Sequence, residues 1–162
     1  MYALNHHDHG TPAVEGAPVT LNIDGAEVTV PAGSSVMHAA AVAGGAIPKL
    51  CATDTLKAFG SCRVCLVEIE GQRGFPASCT TLVAPGMKVR TESERLGKLR
   101  QGVVELYMSD HPEQCSAGSR SELRQVADGL GIGLATRYGH DGENHLSACK
   151  DESNPYFTCD PA

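Results

Sequence analysis

Residues 19–30, VTLNIDGAEVTV, alternate apolar and polar positions on both sides of Asp24-Gly25. A period of two marks a strand with one buried face. Asp-Gly between two such runs predicts a hairpin with a two-residue turn, because the primed turns need positive φ. Pro31 and Gly33 break the second strand. Ser34 or Ser35 is placed to cap a helix over roughly 35–43, which Gly44-Gly45 ends. Residues 46–63 have no period. Residues 64–70, VCLVEIE, alternate again, and Gly71 to Gly74 turn the chain back. A last short strand, MKVRT, spans 87–91 after the Pro85-Gly86 turn. Hairpin, helix, irregular loop, hairpin and strand together predict an α+β fold, a small mixed sheet with one helix across a face.

Further along, residues 93–110 predict a helix. Leu96, Leu99, Val103, Leu106 and Tyr107 recur at three and four residues, the helical spacing. A shorter helix is expected at 121–129, with Ser121 as its cap. Residues 136–162 are polar, rich in Gly, Asn and Pro, and read as an irregular tail. The first 18 residues lack the order of a signal peptide and read as a mobile cytoplasmic leader. His6, His7 and His9 in it are the residues that could touch a metal, against the plainer reading of a polar tail.

Composition narrows the class. Hydrophobic residues are 41%, aromatics 4% and Trp absent, so the core is aliphatic and thin, the kind that a metal or partner often helps. The net charge of −6 argues against nucleic acid as the main partner and permits docking on a basic protein surface. No run of 18 apolar residues predicts a membrane span.

Seven cysteines without an export signal point to metal or redox chemistry rather than disulfides. Four of them form the pattern Cys51-x10-Cys62-x2-Cys65-x13-Cys79. Two ligands with two residues between them reach one metal centre, and two more from other loops close the site. Four soft thiolates suit an iron–sulfur cluster. Zinc is the alternative, although structural zinc sites usually use two Cys-x2-Cys knuckles and only one is present. The small residues Ala52, Ala58, Gly60 and Ser61 suit a loop wrapped around sulfides.

Residues 47–89, IPKLCATDTLKAFGSCRVCLVEIEGQRGFPASCTTLVAPGMKV, resemble the N-terminal ferredoxin domain of the large subunit of NAD-dependent molybdenum or tungsten formate dehydrogenases. The same domain type opens the large iron–sulfur subunit of respiratory complex I and the diaphorase small subunit of NAD-reducing hydrogenases. The resemblance implies a β-grasp [2Fe–2S] ferredoxin-like domain over 19–92 with Cys51, Cys62, Cys65 and Cys79 as iron ligands. It extends over 109–132, and RYGHDGENHLSACKDESNPYF (137–157) is especially close to the formate dehydrogenase branch.

The relatives place a [4Fe–4S] cluster in the second region, with ligands spaced H-x3-C-x2-C-x5-C. Here residues 93–135 read as a degenerate form of it. His111 and Cys115 satisfy the first step, but Gly118 and Arg124 fall where the next thiolates belong. Aligned on SELR instead, Cys115 becomes the middle ligand and Ser121 replaces the last. Cys149 and Cys159 lie far along the chain, so a second cluster is not expected and His111 and Cys115 read as remnants. His38, His140 and His145 read as ordinary histidines.

The chain holds no glycine motif for a dinucleotide, and it ends where the formate dehydrogenase branch continues into further cysteine motifs and a pterin region. It is therefore not expected to oxidise formate alone. The expected function is one-electron transfer within an NAD-linked formate dehydrogenase-like or diaphorase complex, in company with its other subunits. The acidic balance is expected to press the potential toward about −400 mV. A non-catalytic assembly or docking subunit with a structural cluster is the competing reading, and a split or truncated piece of a larger subunit is a third.

Overall fold

A computed structural model describes residues 8–110, 121–132, 138–140 and 146–148. The chain divides into two compact units, Met1–Arg100 and Gln101–Ala162.

The first unit is built on a four-stranded mixed sheet. Strands β1 (Pro18–Ile23) and β2 (Ala26–Pro31) pair antiparallel through the full expected register, with Ile23 opposite Ala26. Asp24 and Gly25 both take positive φ, 51° and 90°, as the two-residue turn requires. The inner positions Leu21, Ile23, Val28 and Val30 are buried. Helix α1 (Val36–Val42) starts at Ser35, whose hydroxyl accepts from the His38 amide at 3.0 Å. Strands β3 (Glu68–Ile69) and β4 (Lys88–Arg90) complete the sheet in the order β2-β1-β4-β3. β4 runs parallel to β1 and antiparallel to β3. Val36, Met37, Ala39 and Ala40 of α1 join Val67, Ile69 and Val89 in one apolar core. This is the β-grasp, ferredoxin-like arrangement expected.

Three local differences matter. The strand expected over 64–70 is regular only at Glu68–Ile69. Before it, the chain makes an isolated bridge at Leu66–Ala77, because its pairing is interrupted where Cys65 turns inward. The leader expected to be mobile is tied down over Asp8–Thr11. The Asp8 carboxylate takes an ion pair from Lys49 and the amide of Asp54, and buried Thr11 shares a 2.8 Å hydrogen bond with Ser35. His9 stacks edge-on against His38 with ring centroids 4.9 Å apart.

Helix α2 (Glu94–Ser109) is the third difference. Its fully buried positions are Leu96, Arg100 and Val104, four residues apart. Leu99, Leu106 and Tyr107 of the apolar series are exposed. A cation occupies the middle of the inner face because two backbone carbonyls receive it there. Arg100 Nη2 donates to Leu66 O at 2.6 Å and to Thr91 O at 2.8 Å.

In the second unit, helix α3 (Glu122–Gly129) begins at Ser121, which accepts from the Arg124 amide at 3.4 Å. Gln101 donates to Leu130 O at 2.9 Å. Strands β5 (Tyr138–His140) and β6 (Leu146–Ala148) pair antiparallel within the segment expected to be irregular. Three-residue strands are too short to leave a period in the sequence. No helix among the described residues is long and apolar enough to cross a membrane.

The hairpin turn is also a clamp on β4. Asp24 accepts from the Thr91 amide at 2.8 Å and from its hydroxyl at 2.5 Å. Asp24→Ala would orphan a buried amide and place alanine in the left-handed region, at a combined cost of about 2–4 kcal/mol. Asp24→Asn keeps an acceptor and tolerates the turn, so it should lose less than half as much. Thermal unfolding of both variants followed by circular dichroism checks the order.

Candidate metal centre

Cys65 and Cys79 are brought together by a short irregular hairpin. Val67 donates to Pro76 O and Ser78 to Cys65 O, each at 3.0 Å. A tight turn then carries Cys79. The hydroxyls of Thr80 and Thr81 both return to Ala77 O, at 3.3 and 2.8 Å, as do their amides. Helix α1 secures this turn, because the Val36 and Met37 amides donate to Thr81 O and Ser78 O at 2.8 and 3.1 Å. The first amides of a helix have no partner inside it, and here they fix the loop behind a cysteine. The two Sγ atoms lie 3.5 Å apart.

Cys51 and Cys62 make a second pair from the long loop, with the Cys62 amide donating to Cys51 Sγ at 3.5 Å. Two left-handed residues let the loop close. Gly60 has φ of 71°, and a Cβ there would stand 3.3 Å from the Thr80 side chain. Arg63, between Cys62 and Cys65, has φ of 55°, a conformation that costs a non-glycine residue about 1–2 kcal/mol. Its guanidinium holds Phe75 O at 3.1 Å across the hairpin. Cys62, Cys65 and Cys79 are buried, Cys51 is half-buried, and none is in a disulfide.

The electrostatics follow the pairing. The Cys79 thiol hydrogen bond outweighs burial and brings Cys65 down to about 6. Cys79 is correspondingly driven up, first by that hydrogen bond and then by burial. Burial raises Cys51, but hydrogen bonds from Cys62 and Ser61 overcome it and leave the thiol below its ordinary value. Burial pushes Cys62 up, and the Cys51 side chain adds to the rise. Each pair thus yields one thiolate readily and resists the second. Bound metal removes such resistance, since it takes both sulfurs as anions and expels the proton.

Among the described residues, no three His, Cys, Asp or Glu side chains gather around a single ion position. The four thiols instead fall into two twos. Two pairs of thiols fit two irons holding two thiolates each.

Residues 16–94 match the family model described as "2Fe-2S iron-sulfur cluster binding domain". These residues are a [2Fe–2S] domain. The described relatives are much longer proteins. The mitochondrial NADH-ubiquinone oxidoreductase 78 kDa subunit of Candida albicans is 39% identical over 77% of this chain and 17% of its own length. The NADPH-Fe(3+) oxidoreductase subunit alpha of Geobacter sulfurreducens is 41% identical over 70% of this chain and 14% of its own. A crystal structure of an NAD+-reducing [NiFe]-hydrogenase in the H2-reduced state superposes with a TM-score of 0.65 at 31% identity, covering 72% of this chain and 50% of that one. The chain therefore spans less than a fifth of the two curated relatives.

Of the other residues singled out by sequence, His111, Cys115, Cys149, Cys159, His6, His7 and His145 lie outside the described residues. His140 is in β5. His38 is half-buried on α1. Sequence reasoning missed Arg63, whose left-handed backbone leaves no trace in a Cys-x2-Cys motif. It also missed the Thr80-Thr81 turn, for which a pair of threonines directly after Cys79 was the available signal.

Gly60 gives a direct test of loop closure. Gly60→Ala imposes about 1–2 kcal/mol of backbone strain and a tight contact with Thr80. The visible absorbance of the cluster domain should then bleach at least fivefold faster on warming than in the parent, as timed in a spectrophotometer.

Proposed function

We propose that this chain is the [2Fe–2S] electron-transfer part of an NAD(P)-linked oxidoreductase complex, with Cys51, Cys62, Cys65 and Cys79 as the cluster ligands. The observation that carries the proposal is the arrangement of those cysteines in two close pairs, Cys51 with Cys62, whose amide donates to Cys51 Sγ at 3.5 Å, and Cys65 with Cys79, whose Sγ atoms lie 3.5 Å apart. When bound, a [2Fe–2S] cluster takes up and releases one electron at a time. The side chains that this proposal assigns to it do no acid–base work. They hold the centre, set its burial and leave one side accessible. Three of the thiols are buried and Cys51 is half-buried, so the shortest route for an electron to a partner runs past Cys51. Leu56 and Phe59, in the loop between Cys51 and Cys62, are exposed.

The relatives named above are NADH-, NADPH- and NAD+-linked by name, which supports the class of complex. Within that class we favour a formate dehydrogenase-type complex. Support for that finer assignment comes from the resemblance of residues 137–157 to that branch. The partner subunits would supply the nicotinamide site and the substrate chemistry.

Anaerobically purified protein should contain about two irons and two acid-labile sulfides per chain. Dithionite should produce a rhombic EPR signal integrating to about one spin per chain. Five to six irons would mean a second cluster, and a redox-silent chromophore would remove electron transfer. Cys62→Ser should lose most of the visible absorbance. For the formate assignment, retention of a formate-oxidising activity by the tagged chain in its native host is expected, and retention of a hydrogenase or quinone reductase instead would move it to another branch.

A further inference from the structure

Arg100 is 5% exposed, and among the described residues its hydrogen bonds go to neutral groups, Leu66 O at 2.6 Å and Thr91 O at 2.8 Å. Its Nε has no hydrogen-bond partner among the described residues. Among the described residues no carboxylate is within ion-pair distance of it. Glu92, Cys65 and Asp24 act on it only through space, in that order, while burial works against its charge. Asp24 is already engaged by Thr91. A guanidinium remains protonated even so, and a buried cation without a counter-charge is costly. Two carbonyls could be braced as well by a neutral amide. The positive charge itself calls for an anion, and the carbonyl that Arg100 grips belongs to the residue directly after Cys65.

We infer that Arg100 is the buried counter-charge of the iron–sulfur cluster and raises its reduction potential. The inference rests on the ligand assignment above. Four thiolates around two irons carry about −2 in the oxidised state, and the incoming electron makes the centre more negative. A fixed cation behind Cys65 favours the state with the added electron, and burial spares it the screening that weakens surface charge. Arg100 is thus a positioning and tuning residue; it does not touch the irons.

The test is a mediated potentiometric titration of the full chain, read by EPR. Dithionite supplies the electrons through dye mediators and is oxidised to sulfite, with one electron entering each cluster. Arg100→Gln and Arg100→Met should each shift the equilibrium about tenfold toward the oxidised cluster, about 59 mV lower for a one-electron couple. Arg100→Lys keeps the charge and should stay within about twofold of the parent, as should Lys98→Gln, which removes an exposed cation from the same helix. Potentials of loaded neutral variants within about twofold of the parent would overturn the inference. So would an equal fall in Arg100→Lys, which would assign the effect to geometry, or failure of both neutral variants to retain iron, which would make Arg100 a structural brace. Iron content and spin count of the parent are measured first. A parent without a two-iron centre defeats the ligand assignment, whereas an unmoved potential in loaded variants defeats only the role of Arg100.

Discussion

Everything at the metal centre depends on two hydrogen bonds between segments that are barely strands, Val67 to Pro76 O and Ser78 to Cys65 O, each 3.0 Å long. They set Cys65 beside Cys79 across thirteen intervening residues. A pairing this short is not stable alone. It is secured from behind by the open amides of α1 at Val36 and Met37, and from the side by the core that Val67 and Ile69 share with α1. The helix is thus more than a cover for the sheet. Its N-terminus is the point at which the stability of the core is transmitted to a thiol.

The same economy explains why the fold was largely readable and the site only partly so. Asp24-Gly25 and Ser35 act over two or three residues, so their signals are local and the hairpin and helix fall where alternation and capping put them. The identity of the domain was carried by the cysteine spacing, which is equally local. What the sequence could not reveal was determined by distant partners. Arg63 adopts a left-handed backbone because Phe75 O and the loop around it require that turn. Asp8 and Thr11 look like part of a polar leader until Lys49, Asp54 and Ser35 are brought to them by the fold.

Helix α2 shows the limit most sharply. The spacing of Leu96, Leu99, Val103, Leu106 and Tyr107 describes a plausible apolar stripe, yet the inner line runs through Leu96, Arg100 and Val104. A period can locate a helix without fixing which face turns inward, since a rotation of one residue still leaves apolar side chains on both lines. Arg100 can lie on the inner line because a long arginine stem tolerates burial while its head finds two carbonyls. That choice leaves Leu106 and Tyr107 facing solvent.

Net charge and local charge now point in opposite directions. The formal −6 of the chain suggests a centre that is hard to reduce. Exposed carboxylates such as Glu70 and Glu94 are paired with Lys88 and Lys98 and screened by solvent, so they weigh little on the centre. Arg100 is one charge against many, but it is buried and unpaired by any carboxylate among the described residues, on the backbone segment that carries Cys65. Coulomb energy grows as the effective dielectric falls, so position outweighs number. On the role inferred for Arg100, the potential of the centre would be set less by the acidity of the chain as a whole than by this buried cation.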